Sequence, residues 1–231
     1  MKTPTMDPKE IAGRSAARYV ESGMTIGLGT GSTVHFTLVA LAERIRTEGL
    51  RVRGIPTSLD TERKAQEFGI PLATLDEVSR IDVTIDGADE IDGRFDMIKG
   101  GGGALLREKV VASMSKRNVI VVGANKVVAR LGSTFALPVE VVPFARVPVR
   151  RALVALGCEP ALRMVQGRVY TTDNGNEILD CRFAKGIEDA AALERAIDTI
   201  PGVVESGLFV GLAHVCVVGN VDGSCDVRER P

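Results

Sequence analysis

MTIGLGTGSTVHFTLVALAERIRT, residues 24–47, is the stretch whose reading decides the fold. Met24 to Leu28 is a short apolar run of strand type, and Gly29 to Thr33 is a loop of small residues. Thr33 to about Thr47 is a helix with Phe36, Leu38, Val39, Leu41 and Ile45 available for burial. Strand, loop, helix is the first unit, and it recurs downstream. Strand Arg51 to Ile55 precedes helix Ser58 to Phe68, which Gly69 stops; strand Ile81 to Asp86, helix Ala104 to Ser115 and strand Val119 to Val122 follow. Upstream, Asp7-Pro8-Lys9-Glu10 has the form of a helix start, with Asp as N-cap, Pro at the first helical position and Glu three after the cap. That helix is expected to run to about Glu21. Such alternation predicts a parallel sheet covered on both faces.

After Gly132 the rhythm changes. Strand Leu137 to Val142, helix Ala145 to Leu156, strands Ala161 to Val165 and Glu177 to Phe183, helix Ala190 to Thr199 and strand Val203 to Val210 follow in turn. This is the ferredoxin-like β-α-β-β-α-β order. Asp173-Asn174-Gly175-Asn176 marks a hairpin tip between the two middle strands. His214 to Val218 reads as one more strand, able to return to the first sheet. The expected segments are therefore 1–132, 133–206 and a return segment, 207–231.

The 231 residues include 29 Lys and Arg against 30 Asp and Glu, a formal charge of −1, with 45% hydrophobic and 26% charged residues. This is the composition of a globular protein with a sizeable core. Near-neutral charge removes the footprint of a protein that grips nucleic acid or an anionic membrane. With 4% aromatic residues and no Trp, platforms for stacking bases or sugars are scarce. Cys158, Cys181, Cys216 and Cys225 contain no Cys-x-x-Cys pair and have only His35 and His214 to join them, so no zinc framework is present and the thiols are expected reduced. The start MKTPTMDPKE lacks the apolar stretch of a signal peptide, and no apolar run reaches the ~18 residues of a membrane span. A cytoplasmic location is expected.

In open parallel sheets a ligand sits at the carboxyl ends of the strands, so the loops after Leu28, Ile55, Ile85 and Val122 are the ones to inspect. In Gly27-Leu28-Gly29-Thr30-Gly31-Ser32-Thr33, bare glycine amides, three hydroxyls and a helix dipole can surround a phosphate or another anion. The same residues also suit a tight turn with a capped helix. Ser32 stands where a dinucleotide fingerprint wants its third glycine, and no Gly-Lys-Ser/Thr follows. The next loop, Asp86-Gly87-Ala88-Asp89-Glu90-Ile91-Asp92, holds four carboxylates. Mutual repulsion can tune such groups to exchange protons near neutrality; a magnesium site and a solvated acidic turn are the other readings. Lys99, the run Gly100 to Gly103, and Glu108 on the second turn of a helix follow. Polyglycine is costly in chain entropy, which suggests a ligand close to the backbone.

Six segments, GLGTGST (27–33), DGADEID (86–92), MIKGGGGALLREK (97–109), LPVEVVP (137–143), DNGN (173–176) and PGVVESGLF (201–209), together resemble ribose-5-phosphate isomerase, type A. The resemblance covers most of the chain. It implies an α/β fold, a Rossmann-like parallel-sheet domain with an inserted ferredoxin-like α+β domain. It implies interconversion of ribose 5-phosphate and ribulose 5-phosphate in the pentose phosphate pathway or the Calvin cycle, without metal or organic cofactor. Carried over by motif, Glu108 is the base and acid between carbons 1 and 2, while Asp86, Asp89 and Lys99 open the ring and stabilise the oxyanion. Substrate contacts are implied for Thr30, Gly31, Ser32 and Thr33, for Gly87 and Ala88, and for Gly100, Gly101 and Gly102. Lys126 and Lys9 are implied as positive charge for the phosphate. A homodimer or homotetramer acting on a small sugar phosphate is expected, with no nucleic-acid or membrane partner.

The chemistry suits these residue types independently. A cis-enediolate mechanism needs one base that reaches both carbons and fixed positive charge for the oxygens, which Glu108 and Lys99 supply without histidine. An amino-sugar phosphate deaminase, a lactonase on a phosphorylated sugar acid and a sugar-phosphate sensor are the alternatives. The joint presence of Asp86, Asp89, Lys99 and Glu108 favours turnover over sensing.

Overall fold

The computed structural model describes residues 7–230. Its elements begin α1 (Pro8–Ala16), β1 (Thr25–Leu28), α2 (Ser32–Glu48), β2 (Arg53–Pro56), α3 (Leu59–Glu67), β3 (Ile81–Asp86), β4 (Glu90–Ile91), β5 (Met97–Ile98), α4 (Leu105–Ser113) and β6 (Ser115–Gly123). They continue β7 (Leu137–Val141), α5 (Arg146–Ala155), β8 (Glu159–Leu162), β9 (Met164–Val165), β10 (Arg168–Val169), β11 (Glu177–Arg182), α6 (Ala190–Asp198), β12 (Val203–Ser206), β13 (Leu208–Phe209), β14 (Val215–Gly219) and β15 (Cys225–Glu229). Packing divides the chain into two units. The first holds the residues up to Gly87, Arg107–Lys126 and the chain from Leu212 on; the second holds Ala88–Leu106 and Val127–Gly211.

The first unit is the Rossmann-like one. Its sheet runs β15-β14-β6-β3-β1-β2, parallel throughout except for β15, which is antiparallel to β14. β1 and β14 are buried along their whole length, as a sheet covered on both faces requires. Ile26, Leu28, Val83, Ile85, Val119, Val121, Val215 and Val217 form one core with Ala12 and Ala16 of α1 and Val34, Leu38 and Leu41 of α2. Val111 of α4 packs with Ile55 and Ile81 in a second cluster. The local signals act as read. Asp7 accepts the Lys9 amide at 2.9 Å with Pro8 opening α1, and Ser58 accepts the Thr61 amide at 3.1 Å ahead of α3.

Elements in this unit depart from expectation in places: α1 ends at Ala16 and passes into a 3₁₀ turn, Ala17–Tyr19, short of the expected Glu21. β6 begins at Ser115, four positions before Val119, because Ile81 pairs with Ser115 and extends the ladder through the exposed Lys116 and Arg117. β15 was not expected at all. It is a largely exposed edge strand, and its alternation, Cys225 and Val227 against Asp226 and Arg228, is too short to announce it.

The second unit contains the ferredoxin-like arrangement. β7-α5-β8-β11-α6-β12 forms an antiparallel sheet in the order β12-β7-β11-β8, and Leu137, Val139 and Val141 pack against Val149 and Leu153 of α5 and Ala190 and Ile197 of α6. A small antiparallel sheet, β13-β5-β4, belongs to the same unit. The expected strand 161–165 is broken: β8 ends at Leu162, and β9 pairs with β10 across a two-residue turn at Gln166 and Gly167 (φ 51° and 76°). Two consecutive positive φ angles match the twist of a hairpin. The DNGN segment is therefore not the hairpin tip but a second turn, closed by the Gly175 amide on Thr172 O at 2.9 Å. The expected strand 203–210 splits at Gly207, whose amide bonds Pro138 O at 2.7 Å; a Cβ there would lie 2.4 Å from Lys99 O. No described helix is long and apolar enough to cross a membrane.

Candidate active site

In the first unit, β1, β3 and β6 run side by side with Leu28 opposite Ile85 and Asp86 opposite Ile120. The loops that follow them consequently leave the same edge of the sheet. Asp86 is 3% exposed, and its Oδ1 accepts the amides of Thr30 at 3.1 Å and Gly87 at 2.7 Å. A Cβ on Gly29 would stand 2.2 Å from that oxygen, so this glycine is there to let the carboxylate approach the backbone. Gly31 (φ 121°) opens α2 without a side-chain cap, and Gly31 and Ser32 are exposed, with Thr33 half-buried. Helix-start amides in this setting suit an anion.

Thr30 differs in orientation from its neighbours. Its Oγ1 lies 2.8 Å from the hydroxyls of Thr57 and Ser58 and 3.2 Å from that of Thr61. Thr57 and Thr61 in turn donate to Leu28 O at 3.1 Å and Gly29 O at 2.9 Å. This hydroxyl cluster pins the glycine loop. Sequence reasoning missed Thr57, Ser58 and Thr61, although Ser58 with Thr61 three residues later is visible as a helix start. α4 begins at Leu105, one residue later than expected, so Glu108 lies in its first turn rather than its second, and it is 5% exposed. Lys126 is half-buried and ends a short 3₁₀ turn directly after β6, while Lys9 is exposed on the first turn of α1.

The second unit carries the other group. The Asp89 amide donates to Ile98 O at 2.8 Å, and its Oδ2 accepts the Gly101 amide at 2.7 Å. Lys99 is 3% exposed; its amide bonds Gly207 O at 2.9 Å, and its ammonium lies 5.5 Å from the centroid of the buried Phe209 ring. Gly100 is buried, whereas Gly101 and Gly102 are exposed. Ala88 is half-buried and joins Gly87 to Asp89. The Tyr170 hydroxyl donates to Gly102 O at 3.1 Å, and burial, with Asp173 nearby, pushes this phenol up and keeps it a donor.

Two of the carboxylates in the acidic loop are committed to backbone amides. Glu90 is fully buried and accepts from the Gly132 amide (2.5 Å), the Thr134 amide and hydroxyl (2.6 Å each) and the Phe135 amide (2.8 Å). Asp92 accepts the Arg94 and Asp96 amides at 2.9 and 3.0 Å. Both shape loops. Among the described residues, no group of three or more His, Cys, Asp or Glu side chains is arranged to hold a metal ion.

Residues 53–223 match the family Ribose 5-phosphate isomerase A (phosphoriboisomerase A). The chain is 52% identical to ribose-5-phosphate isomerase A of Thermosynechococcus vestitus, over 96% of this chain and 95% of the relative. It is 56% identical to that of Gloeobacter violaceus, over 93% of each. Its fold is similar to the solved ribose 5-phosphate isomerase A of Methanocaldococcus jannaschii, with TM-score 0.91, 41% identity and coverage of 96% and 98%. A further solved D-ribose-5-phosphate isomerase, in complex with phospho-erythronic acid, aligns with TM-score 0.93 and 36% identity over 97% of this chain and all of that one. With this agreement in sequence and fold, the chain belongs to the ribose 5-phosphate isomerase A family.

Proposed function

We propose that the chain interconverts D-ribose 5-phosphate and D-ribulose 5-phosphate by moving one proton between carbons 1 and 2 through a cis-enediolate. The observation that carries the reading is the burial of Lys99 and Glu108, at 3% and 5% exposure, in a member of this isomerase family. A lysine and a glutamate are seldom so buried without a task, since desolvating a charge is costly. Glu108 takes the proton from one carbon and returns it to the other, and Lys99 offsets the charge that develops on the oxygens. Asp86 and Asp89 assist opening of the furanose ring, with Gly87, Ala88 and Gly100 to Gly102 lining the sugar. The amides and hydroxyls at Thr30 to Thr33, with Lys126 and Lys9, hold the phosphate. Binding energy remote from the reacting carbons then orients the sugar for transfer.

The ligand named for the 36%-identical solved relative supports the reading, because a phosphorylated four-carbon acid bears carboxylate oxygens where the enediolate bears its two. The working form is a homodimer or homotetramer in the cytoplasm, and the reaction needs no cofactor. Purified protein is expected to equilibrate the two pentose phosphates in EDTA. Complete loss of activity on chelation, restored by a divalent metal, overturns the cofactor-free mechanism, and absence of turnover under all conditions overturns the assignment.

A further inference from the structure

Four glycines in a row have no side chains with which to hold a shape, so the conformation of Gly100 to Gly103 must be imposed from outside. Arg163, which follows β8, imposes much of it. Its side chain is 12% exposed and grips Asp180 side-on, Nε to Oδ2 at 2.9 Å and Nη2 to Oδ1 at 2.5 Å. The remaining nitrogen, Nη1, donates to Gly100 O at 2.8 Å and Gly101 O at 3.2 Å. Tyr170, whose ring centroid lies 5.8 Å from the Arg163 guanidinium and whose amide bonds Arg163 O at 3.0 Å, takes the third carbonyl, Gly102 O. Gly103 lies against the same ring, where a Cβ would stand 2.2 Å from the Tyr170 hydroxyl. Three consecutive carbonyls are thus drawn to one pair of side chains. A peptide plane held by its C=O also has its N–H aimed, and the Gly101 N–H meets Asp89 Oδ2.

We infer that Arg163, locked by Asp180, is a positioning residue for the isomerisation: by holding the carbonyls of Gly100 and Gly101 it sets the backbone that follows Lys99 and the amide that orients Asp89. The inference rests on the function proposed above. Arginine is required because one rigid fork satisfies a carboxylate on one side and two carbonyls on another, which a lysine ammonium cannot do. Arg163 is not assigned to the phosphate grip, so its loss should be felt in turnover more than in substrate binding.

The test compares the parent with Arg163→Ala, Arg163→Lys and Tyr170→Phe in ribose 5-phosphate kinetics, thermal melts and amide hydrogen exchange over residues 100–103. A misplacement of about 1 Å at a reacting group can cost ~10²-fold, so Arg163→Ala is expected to lose roughly 30- to 100-fold in kcat with KM within about threefold. Arg163→Lys should lose about tenfold and Tyr170→Phe about threefold. Exchange at residues 100–103 should quicken in all three variants, and guanidinium ion should restore part of the turnover of Arg163→Ala while leaving the parent unchanged. A folded Arg163→Ala with kcat within threefold of the parent overturns the inference. So does a loss that tracks only the unfolded fraction and ignores guanidinium. Should the alanine variant fail to fold, a folded Arg163→Lys with parental kcat overturns it equally. A parent without isomerase activity overturns the functional reading and this role with it, and the exchange data then report separately whether Arg163 holds the glycine run.

Discussion

Asp89 and Gly101 are fitted to each other: Asp89 Oδ2 accepts the Gly101 amide at 2.7 Å, and a Cβ on residue 101 would stand 2.6 Å from Asp89 Oδ1. The hydrogen bond and the missing side chain serve one placement of the carboxylate. Gly101→Ala is therefore expected to turn Asp89 away and lower kcat by about tenfold or more. Because Gly101 is exposed, the melting temperature should move little. Kinetics and a thermal melt on the same preparation check this, and parental kcat in the variant separates the carboxylate's placement from turnover.

Glu108→Gln keeps the shape of the side chain and removes the proton acceptor. Turnover should fall by ~10² or more while a phosphorylated sugar acid still binds, as measured by calorimetry. Near-parental turnover returns Glu108 to a structural role on α4.

Lys126→Ala should mainly raise KM for ribose 5-phosphate, because it removes a charge-assisted contact present in both ground and transition states. Inorganic phosphate should also inhibit the variant less well, measured at fixed ionic strength so that screening does not imitate a weaker grip. Unchanged KM and unchanged phosphate inhibition exclude Lys126 as an anchor.

Glu90 gives a contrast within the same loop. Glu90→Gln sets an amide NH₂ against backbone N–H groups in a fully buried site, which should destabilise the fold by about 2–4 kcal/mol in urea titrations. The folded variant should keep kcat within about threefold, since this carboxylate serves the 132–135 loop. A large loss of kcat at unchanged stability would give Glu90 a direct part in the reaction.

Burial pushes the Cys216 thiol up to about 11, while an unfolded thiol titrates near ~8.5. The folded state therefore favours the neutral thiol. Its contribution is complete below the unfolded value and is lost as pH rises through the folded one. Between about pH 8.5 and 11 the parent should lose on the order of 2 kcal/mol that Cys216→Val does not lose. Parallel stability curves for the two proteins across that range exclude the effect.

What the sequence settled alone was local. Asp7 and Ser58 cap helices with hydrogen bonds to amides two and three residues away, and the apolar runs at Ile26, Val83, Val119 and Val217 mark strands buried on both faces. The strand read at 81–86 and the helix read from 104 likewise put Asp86 at a strand end and Glu108 in a helix. Tertiary structure decided the roles that depend on distant partners. Asp86 and Glu90 are both acidic, both buried and four positions apart, yet Glu90 is committed to a loop whose first amide donor lies 42 residues downstream. Periodicity could not reveal β4 or β5, because a two-residue strand holds a single period of alternation and so shows no repeat. Nor could it connect Arg163 to Gly100 across 63 residues, for a carbonyl carries no mark in the sequence of which side chain will hold it. Caps and apolar runs are recognised by near neighbours along the chain, whereas the bonds that hold a glycine run are chosen only when the sheet brings its partners within reach.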